Sequence, residues 1–102
     1  MTADRSQETA TVSLEGQVLA VKGILTVNTL SSALKQLSCI EKMADQISFQ
    51  AVDTADSTAV VFLLACQRKL NSGKLMVRDV PDRVMRLIRL YDLSTLFNFS
   101  QL

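Results

Sequence analysis

Hydrophobic and polar positions follow two different periods along this chain. Residues 11–14, 18–22, 47–52 and 74–80 are short runs in which apolar and polar side chains tend to alternate, which predicts half-buried strands. Between and after these runs, apolar side chains recur every three or four residues, the spacing of one helix face. The predicted order of elements is strand, strand, helix, strand, helix, strand, helix.

Turn and cap residues separate the predicted elements. Gly16 lies between the first two strands and predicts a hairpin, whereas Gly23 interrupts the second pattern. Residues 28–29 form a polar cap before the first helix, and residues 71–73 form a stop signal after the second. Pro81 suits the first turn of the third helix, where its missing N–H is not needed.

The alternation of strands and helices predicts an α/β fold with a partly parallel, mixed sheet. We expect about four strands packed with about three helices in a single domain, because 102 residues is the length of one compact domain. Residues 1–10 are expected to be a polar tail, and residues 11–102 the domain itself. The sequence contains no repeat and no internal linker.

The composition of the chain argues against several classes of protein. The chain has 11 Lys and Arg against 10 Asp and Glu, so it lacks the basic excess typical of nucleic-acid binding. Residues 1–10 lack the apolar stretch of a secretory signal, and no segment approaches the ~20 apolar residues of a membrane span. We therefore expect a cytoplasmic protein that binds no nucleic acid and does not insert into the membrane.

The chemistry needed for catalysis is scarce. The sequence contains no histidine, which removes the commonest general base and His-ligated metals. Its three glycines cannot supply a glycine-rich phosphate loop. Cys39 and Cys66 lie in apolar helical patterns, which predicts small core residues instead of a disulfide or metal site. We expect no enzymatic activity and no cofactor.

Asp53 and Asp56 are the one pair of carboxylates with a candidate role. They could help to hold a hard cation such as Mg²⁺, which takes carboxylates together with water and phosphate oxygens. They could instead end a strand and cap the next helix, whose N-terminal dipole favours negative charge. No further ligand cluster accompanies the pair, which favours capping and no metal.

The second helix has apolar residues on two sides. Its expected core face is formed by Ala59, Leu63, Cys66 and Leu70. Val61, Leu64 and Ala65 lie on the opposite side, among the polar residues Ser57, Thr58, Arg68 and Lys69. This apolar stripe is either a docking surface for a partner or packs against a neighbouring helix.

Ser57, at the start of this helix, also has two interpretations. Its hydroxyl could cap the helix by accepting a backbone hydrogen bond, which the sequence favours. Alternatively, it could carry a phosphate that adds up to ~2 negative charges beside the stripe.

Several segments of the sequence resemble the STAS-domain family. Residues 52–60, VDTADSTAV, resemble the family signature, in which a hydrophobic strand leads through Asp-Ser or Asp-Thr into an apolar helix. Residues 75–81 and the helical pattern at 84–93 resemble the last strand and helix of the family, and residues 93–97 are also similar. The resemblance covers residues 11–97 and implies a single STAS-type domain.

Within that family, the Asp-Ser-Thr-Ala-Val opening and the Arg-Leu-Tyr-Asp-Leu ending look most like the small cytoplasmic subunit (MlaB type) of the Mla system. Mla is a bacterial phospholipid-transport ABC system that maintains outer-membrane lipid asymmetry. The resemblance implies a non-catalytic accessory subunit that binds the cytoplasmic ATPase and supports its assembly and activity. Through the ATPase it would reach the permease complex at the inner membrane. It implies a partner-binding site formed by Asp56, Ser57, Thr58, Val61, Leu64, Ala65 and Arg68.

STAS domains also occur as anti-sigma factor antagonists, and this is the alternative function. It would make Ser57 a phosphorylation site that controls binding and release of a regulator. Antagonists commonly carry small, often glycine-bearing residues after the phosphorylated serine. Here Thr58 and Ala59 follow, which weakens the phosphorylation interpretation.

Overall fold

A computed structural model describes residues 8–70 and 73–99. In chain order the elements are β1 (Ala10–Glu15), β2 (Val18–Leu25), α1 (Leu30–Ser38), β3 (Gln46–Ala55), α2 (Thr58–Leu70), β4 (Met76–Arg78), α3 (Asp82–Leu90) and β5 (Asn98–Phe99). The predicted order of elements is confirmed, with one short strand added. That strand, β5, has only two residues, too few for an alternating pattern to reveal it in the sequence.

The strands form one mixed sheet in the order β1-β2-β3-β4-β5. β1 and β2 are antiparallel, and each later strand is parallel to the one before it. A helix connects each parallel pair, and such crossovers are almost always right-handed. Since every crossover moves in the same direction across the sheet, the three helices lie on one face, with α2 between α1 and α3.

The core lies between this helical layer and the sheet. Alternate strand residues point into it, which are Leu19, Val21, Leu25, Ile47, Phe49 and Val77. The intervening residues of the same strands, such as Ser48 and Arg78, are partly exposed. The helices contribute a matching buried set, which includes Ala33, Leu37, Ala59, Phe62, Leu63, Cys66, Val84 and Ile88.

The two cysteines differ in environment. Cys66 is buried, and this burial raises the pKa of its thiol, which therefore stays protonated as a small core residue. Cys39 is exposed, so its predicted core position is wrong. It stands at the C-cap of α1, just beyond the last turn that packs on the core.

The polar residues before α1 close a loop instead of capping the helix. Thr29 is the N-cap residue, but its hydroxyl donates to the Ile24 carbonyl (2.6 Å) and accepts from the Thr26 N–H (3.1 Å). The amide of Asn28 donates to Glu8 (3.0 Å). Both side chains fix the β2–α1 connection. Pro81 is likewise the N-cap residue of α3, one position before the helical turn predicted for it.

Gly23 does not end the second strand, because β2 continues to Leu25. Its φ is +93°, and a Cβ at this position would overlap the carbonyl oxygen of Thr9. The register of β2 against β3 also shifts on either side of it, between Ala20 and Lys22 and between Gly23 and Ile24. Glycine is therefore required by a close approach inside the strand.

Two glutamine side chains act as partners for the main chain. Gln36 of α1 accepts a hydrogen bond from the Val12 N–H and donates to the Ala10 carbonyl, both at 2.8 Å. Because β1 is the outer strand, these groups face away from β2 and would otherwise lack a partner. Gln67 of α2 bonds in the same way to the Leu75 N–H (2.7 Å) and the Gly73 carbonyl (2.9 Å).

The predicted boundaries at the ends of the chain shift slightly. β1 begins at Ala10, one residue before the expected start of the domain. Residues 1–7 of the predicted tail and residues 71–72 of the predicted helix stop lie outside the described residues.

Within the described part of the chain, no helix has the length and apolar character needed to cross a bilayer.

Candidate partner-binding site

The β3–α2 junction separates the two candidate carboxylates. The strand extends to Ala55, beyond its predicted end at residue 52, so the exposed Asp53 lies in the strand and not in a loop. Asp56 is the first residue after the strand. Among residues 8–70 and 73–99, no three cysteine or acidic side chains form a cluster that could hold a metal ion.

Asp56 caps α2. Its Oδ1 accepts hydrogen bonds from the N–H (2.9 Å) and the hydroxyl (2.6 Å) of Thr58, the first residue of the helix. Burial by itself would raise the pKa of this carboxyl. Hydrogen bonds from Thr58 and from the Val27 N–H, together with the positive charge of Arg83, outweigh burial and lower the pKa. Asp56 is therefore held as a carboxylate that joins β3, α2 and the β2–α1 loop.

Ser57 does not cap the helix, contrary to the interpretation that the sequence favours. Its side chain is exposed, and its hydroxyl has no hydrogen-bond partner among the described residues. The physical reason is that the N–H groups a Ser57 cap would bond, those of Ala59 and Val60, donate instead to the carbonyl oxygens of Asp56 (3.0 Å) and Ser57 (3.1 Å). The Ser57 hydroxyl is thus free to meet solvent or a partner.

We predict that Asp56→Ala lowers the free energy of unfolding by about 1 kcal/mol near neutral pH, the usual cost of a lost cap. Ser57→Ala is the matched control and should change it by less than about 0.5 kcal/mol. Folding lowers the pKa of Asp56. Its contribution to the free energy of unfolding is therefore present above the unfolded-state pKa and is lost as the pH falls through the folded-state pKa.

Urea unfolding of the wild-type protein, Asp56→Ala and Ser57→Ala, measured at neutral pH and below pH ~4, checks these predictions. The difference between the wild-type protein and Asp56→Ala should shrink on acidification. A larger loss from Ser57→Ala than from Asp56→Ala would show that the serine is the cap after all.

The exposed face of α2 carries the apolar stripe. Val61 is 48% exposed and Leu64 37% exposed, while Ala65 is partly buried and Arg68 is exposed. The opposite face is buried at Ala59, Leu63 and Cys66, as the helical spacing predicts. Val60 and Phe62 are also buried, because α2 has a neighbouring helix on each side. Leu70, expected in the core, is only partly buried.

A groove runs between α1 and α2, and the stripe forms one of its walls. We call this feature, with a volume of about 540 Å³, the α1–α2 groove; it is lined by Leu34, Leu37, Ser38, Val61, Leu64 and Ala65, with Arg68 and Lys69 at one end. Val61 and Leu64 therefore lie beside the neighbouring helix but are not covered by it. The groove is open to a further partner.

A second concavity lies at the N-terminal end of α2. It measures about 300 Å³ and brings Asp56 and Ser57 together with Arg83, Arg86, Leu87 and Leu90 of α3. Leu90 is 73% exposed. These α3 residues are not among the site residues predicted from the sequence. Their spacing of three and four residues was a usable signal, since it places them on one helix face.

No protein-family model matches the sequence, and no curated protein matches it either. Among solved structures, the chain is similar to that of the Bacillus cell fate determinant SpoIIAA in the phosphorylated form. The TM-score is 0.61, the identity is 13%, and the match covers 90% of this chain and 91% of that chain. SpoIIAA is a STAS-domain protein. This chain has the STAS-type fold.

The STAS-type α/β fold predicted from the sequence is thus confirmed, with a mixed sheet of five described strands instead of about four. At 13% identity the likeness concerns the fold. In this STAS-type fold, the signature-like residues 52–60 span the end of β3 and the first turn of α2. The N-terminal part of the candidate site, Asp56 to Thr58, therefore lies where parallel strands present their carboxyl ends, the edge at which open α/β sheets commonly bind ligands.

Proposed function

We propose that this STAS-type domain is a non-catalytic accessory subunit of a bacterial phospholipid-transport ABC complex. It binds the cytoplasmic ATPase and supports its assembly and activity, and through the ATPase it associates with the permease at the inner membrane. The proposal combines the sequence resemblance of residues 52–60 and 84–93 with the surface of α2. The observation that carries it is the exposure of Val61 and Leu64 on the central helix.

The proposed docking surface consists of the seven residues that the resemblance implies: Asp56, Ser57, Thr58, Val61, Leu64, Ala65 and Arg68. Its apolar centre is flanked by a free hydroxyl at one end and an arginine at the other. This arrangement matches the general anatomy of interfaces, in which an apolar core is surrounded by polar groups. Asp56 contributes indirectly, because its hydrogen bonds to Thr58 fix the first turn of the surface.

The chemistry of the site supports a binding role without catalysis. Ser57 is the candidate nucleophile, but in the described part of the chain no base forms a hydrogen bond with it, and the sequence has no histidine. The neighbouring carboxylate of Asp56 is engaged by Thr58, and its lowered pKa makes it a poor proton acceptor. We therefore expect the isolated domain to hydrolyse neither ATP nor esters.

Co-expression with the ATPase of a phospholipid-transport ABC system tests the proposal. We expect the two proteins to co-elute, and the ATPase to lose assembly or turnover when the domain is omitted. The purified domain alone should show no ATP turnover. An ATPase that assembles and turns over equally well without the domain would contradict the proposal, as would ATP hydrolysis by the domain alone.

The exposed Ser57 hydroxyl favours one second candidate, a phosphorylation-controlled anti-sigma factor antagonist. Arg83 and Arg86 line the same concavity as Ser57 and would attract a phosphate, whereas the Asp56 carboxylate would repel it. The similar SpoIIAA structure is also of a phosphorylated form. Phosphorylation of Ser57 by a kinase that binds the unmodified domain and releases the modified one would support this candidate over the ABC subunit.

A further inference from the structure

The α1–α2 groove has an apolar floor and charges of only one sign. Its floor and walls are formed mainly by Leu34, Leu37, Val61, Leu64 and Ala65. Among the described residues, the charged ones that line it are Arg68 and Lys69, and no acidic residue does so. We propose that the α1–α2 groove holds an amphipathic helix of the partner protein, with acidic side chains flanking its apolar anchors. This inference rests on the proposed function of the domain as a docking subunit.

The spacing of the lining residues fits a helix. Leu34 and Leu37 are three residues apart on α1, and Val61, Leu64 and Ala65 are three and four apart on α2. Each wall is therefore a ridge of a helix surface, and a third helix can pack its own ridge between them. The nine residues of α1 extend over roughly 13 Å, enough for two to three turns of such a helix. The occupant would present apolar residues at positions i, i+3, i+4 and i+7.

The basic residues at one end of the α1–α2 groove favour an occupant helix with acidic side chains beside its apolar anchors. Arg68 and Lys69 lie in the last turn of α2, and the exposed Lys35 lies in the last turn of α1. Both helices follow a parallel strand and return along the sheet, so these three cations lie at the same end. Within residues 8–70 and 73–99, none of them forms an ion pair, since the pair found there joins Lys22 and Glu15. A partner carboxylate would supply their counter-charge.

The charge pattern also argues against a second copy of this chain as the occupant. α1 contains one basic residue and no acidic residue, and α2 contains two basic residues and no acidic one. α3 contains Asp82 but also three arginines. Each helix of the chain therefore carries more basic than acidic side chains, and none complements the cationic end of the groove.

Two synthetic peptides of about 18 residues test the inference, a length at which isolated helices begin to form. Both carry leucines at i, i+3, i+4 and i+7, with either glutamate or lysine at the flanking positions. In NMR titrations of the full isotope-labelled chain, we expect the glutamate peptide to bind at least about tenfold more tightly than the lysine peptide. The amide shifts should centre on the α1–α2 groove, and the preference should weaken in high salt.

Three variants make the result specific. Leu34→Glu and Ser38→Glu both place a negative charge on the α1 wall, and each should weaken binding of the glutamate peptide by about tenfold or more. Ser38 is exposed, so Ser38→Glu stays informative even if Leu34→Glu is poorly folded. Leu96→Glu is the matched control, because Leu96 is an exposed leucine outside the groove, and it should leave the affinity unchanged.

Equal affinity for the two peptides, shifts centred elsewhere, or no effect of either groove variant would overturn the inference. A dimer of this chain that is dissociated by Ser38→Glu would also overturn it. The outcome is separable from the proposed function, because the titration contains no ATPase. If the ATPase co-elutes but the peptides do not enter the groove, only this inference fails. If the peptides bind as expected but no ATPase co-elutes, only the proposal that the partner is this ATPase is contradicted.

Discussion

Val61→Glu is expected to leave a folded domain that no longer co-purifies with the proposed ATPase partner. Val61 is 48% exposed in the free domain, so a carboxylate there stays in water and should change stability by no more than about 0.5 kcal/mol. In a docked complex the same carboxylate would lose its water without gaining a partner charge. That desolvation commonly costs several kcal/mol, enough to abolish most association. Thermal unfolding and co-elution, measured on the same preparation, check both parts of the prediction.

Two further substitutions on α2 serve as controls. Ala59 is fully buried on the opposite face, so Ala59→Glu should unfold the domain. Lys69 lies near the C-terminal end of the helix, so Lys69→Glu should weaken the complex less than Val61→Glu. If Val61→Glu unfolds the protein as severely as Ala59→Glu, the stripe is part of the core. If the variant folds and binds normally, the docking surface lies elsewhere.

The helical phase of α2 could be predicted from the sequence because it depends on spacing within one element. Ala59, Leu63 and Cys66 recur at helical intervals, and all three are buried. The burial of Val60 and Phe62 could not be predicted in the same way. It depends on α1 and α3, which flank α2 on either side and are distant in sequence.

The sequence also does not decide which of two adjacent polar residues caps a helix. Asp56 and Ser57 are both good capping residues, and one residue of difference in where α2 begins decides which of them accepts a hydrogen bond from the first turn. The pattern likewise placed Cys39 in the core, although α1 ends just before it. The α1–α2 groove arises only when two separate helices are brought together, so neither stretch of sequence reveals it alone.

Gly23 shows a related limit, since glycine in a strand can mark either its end or a close backbone approach. The structure places it inside β2, paired with Ala10 of β1, at a φ of +93°. Next to it, the Ile24 N–H donates a hydrogen bond to the Thr9 carbonyl (2.8 Å). A side chain at Gly23 would push against that same carbonyl oxygen. The conformation and the contact therefore both exclude a Cβ.

We expect Gly23→Ala to lower the free energy of unfolding by about 3 kcal/mol or more, since backbone strain and a displaced β1 strand add together. For a domain of this size, the Tm should fall by at least about 10 °C.

Gly16→Ala is the matched control. Gly16 also has a positive φ, +65°, but a Cβ there meets no atom within 4 Å, so this variant should lose only about 1–2 kcal/mol. Calorimetry of the two variants separates the causes. Equal losses would mean that φ alone sets the cost and that the Thr9 carbonyl moves aside freely. A larger loss at Gly23 would locate the additional cost in the contact between the start of β1 and the middle of β2.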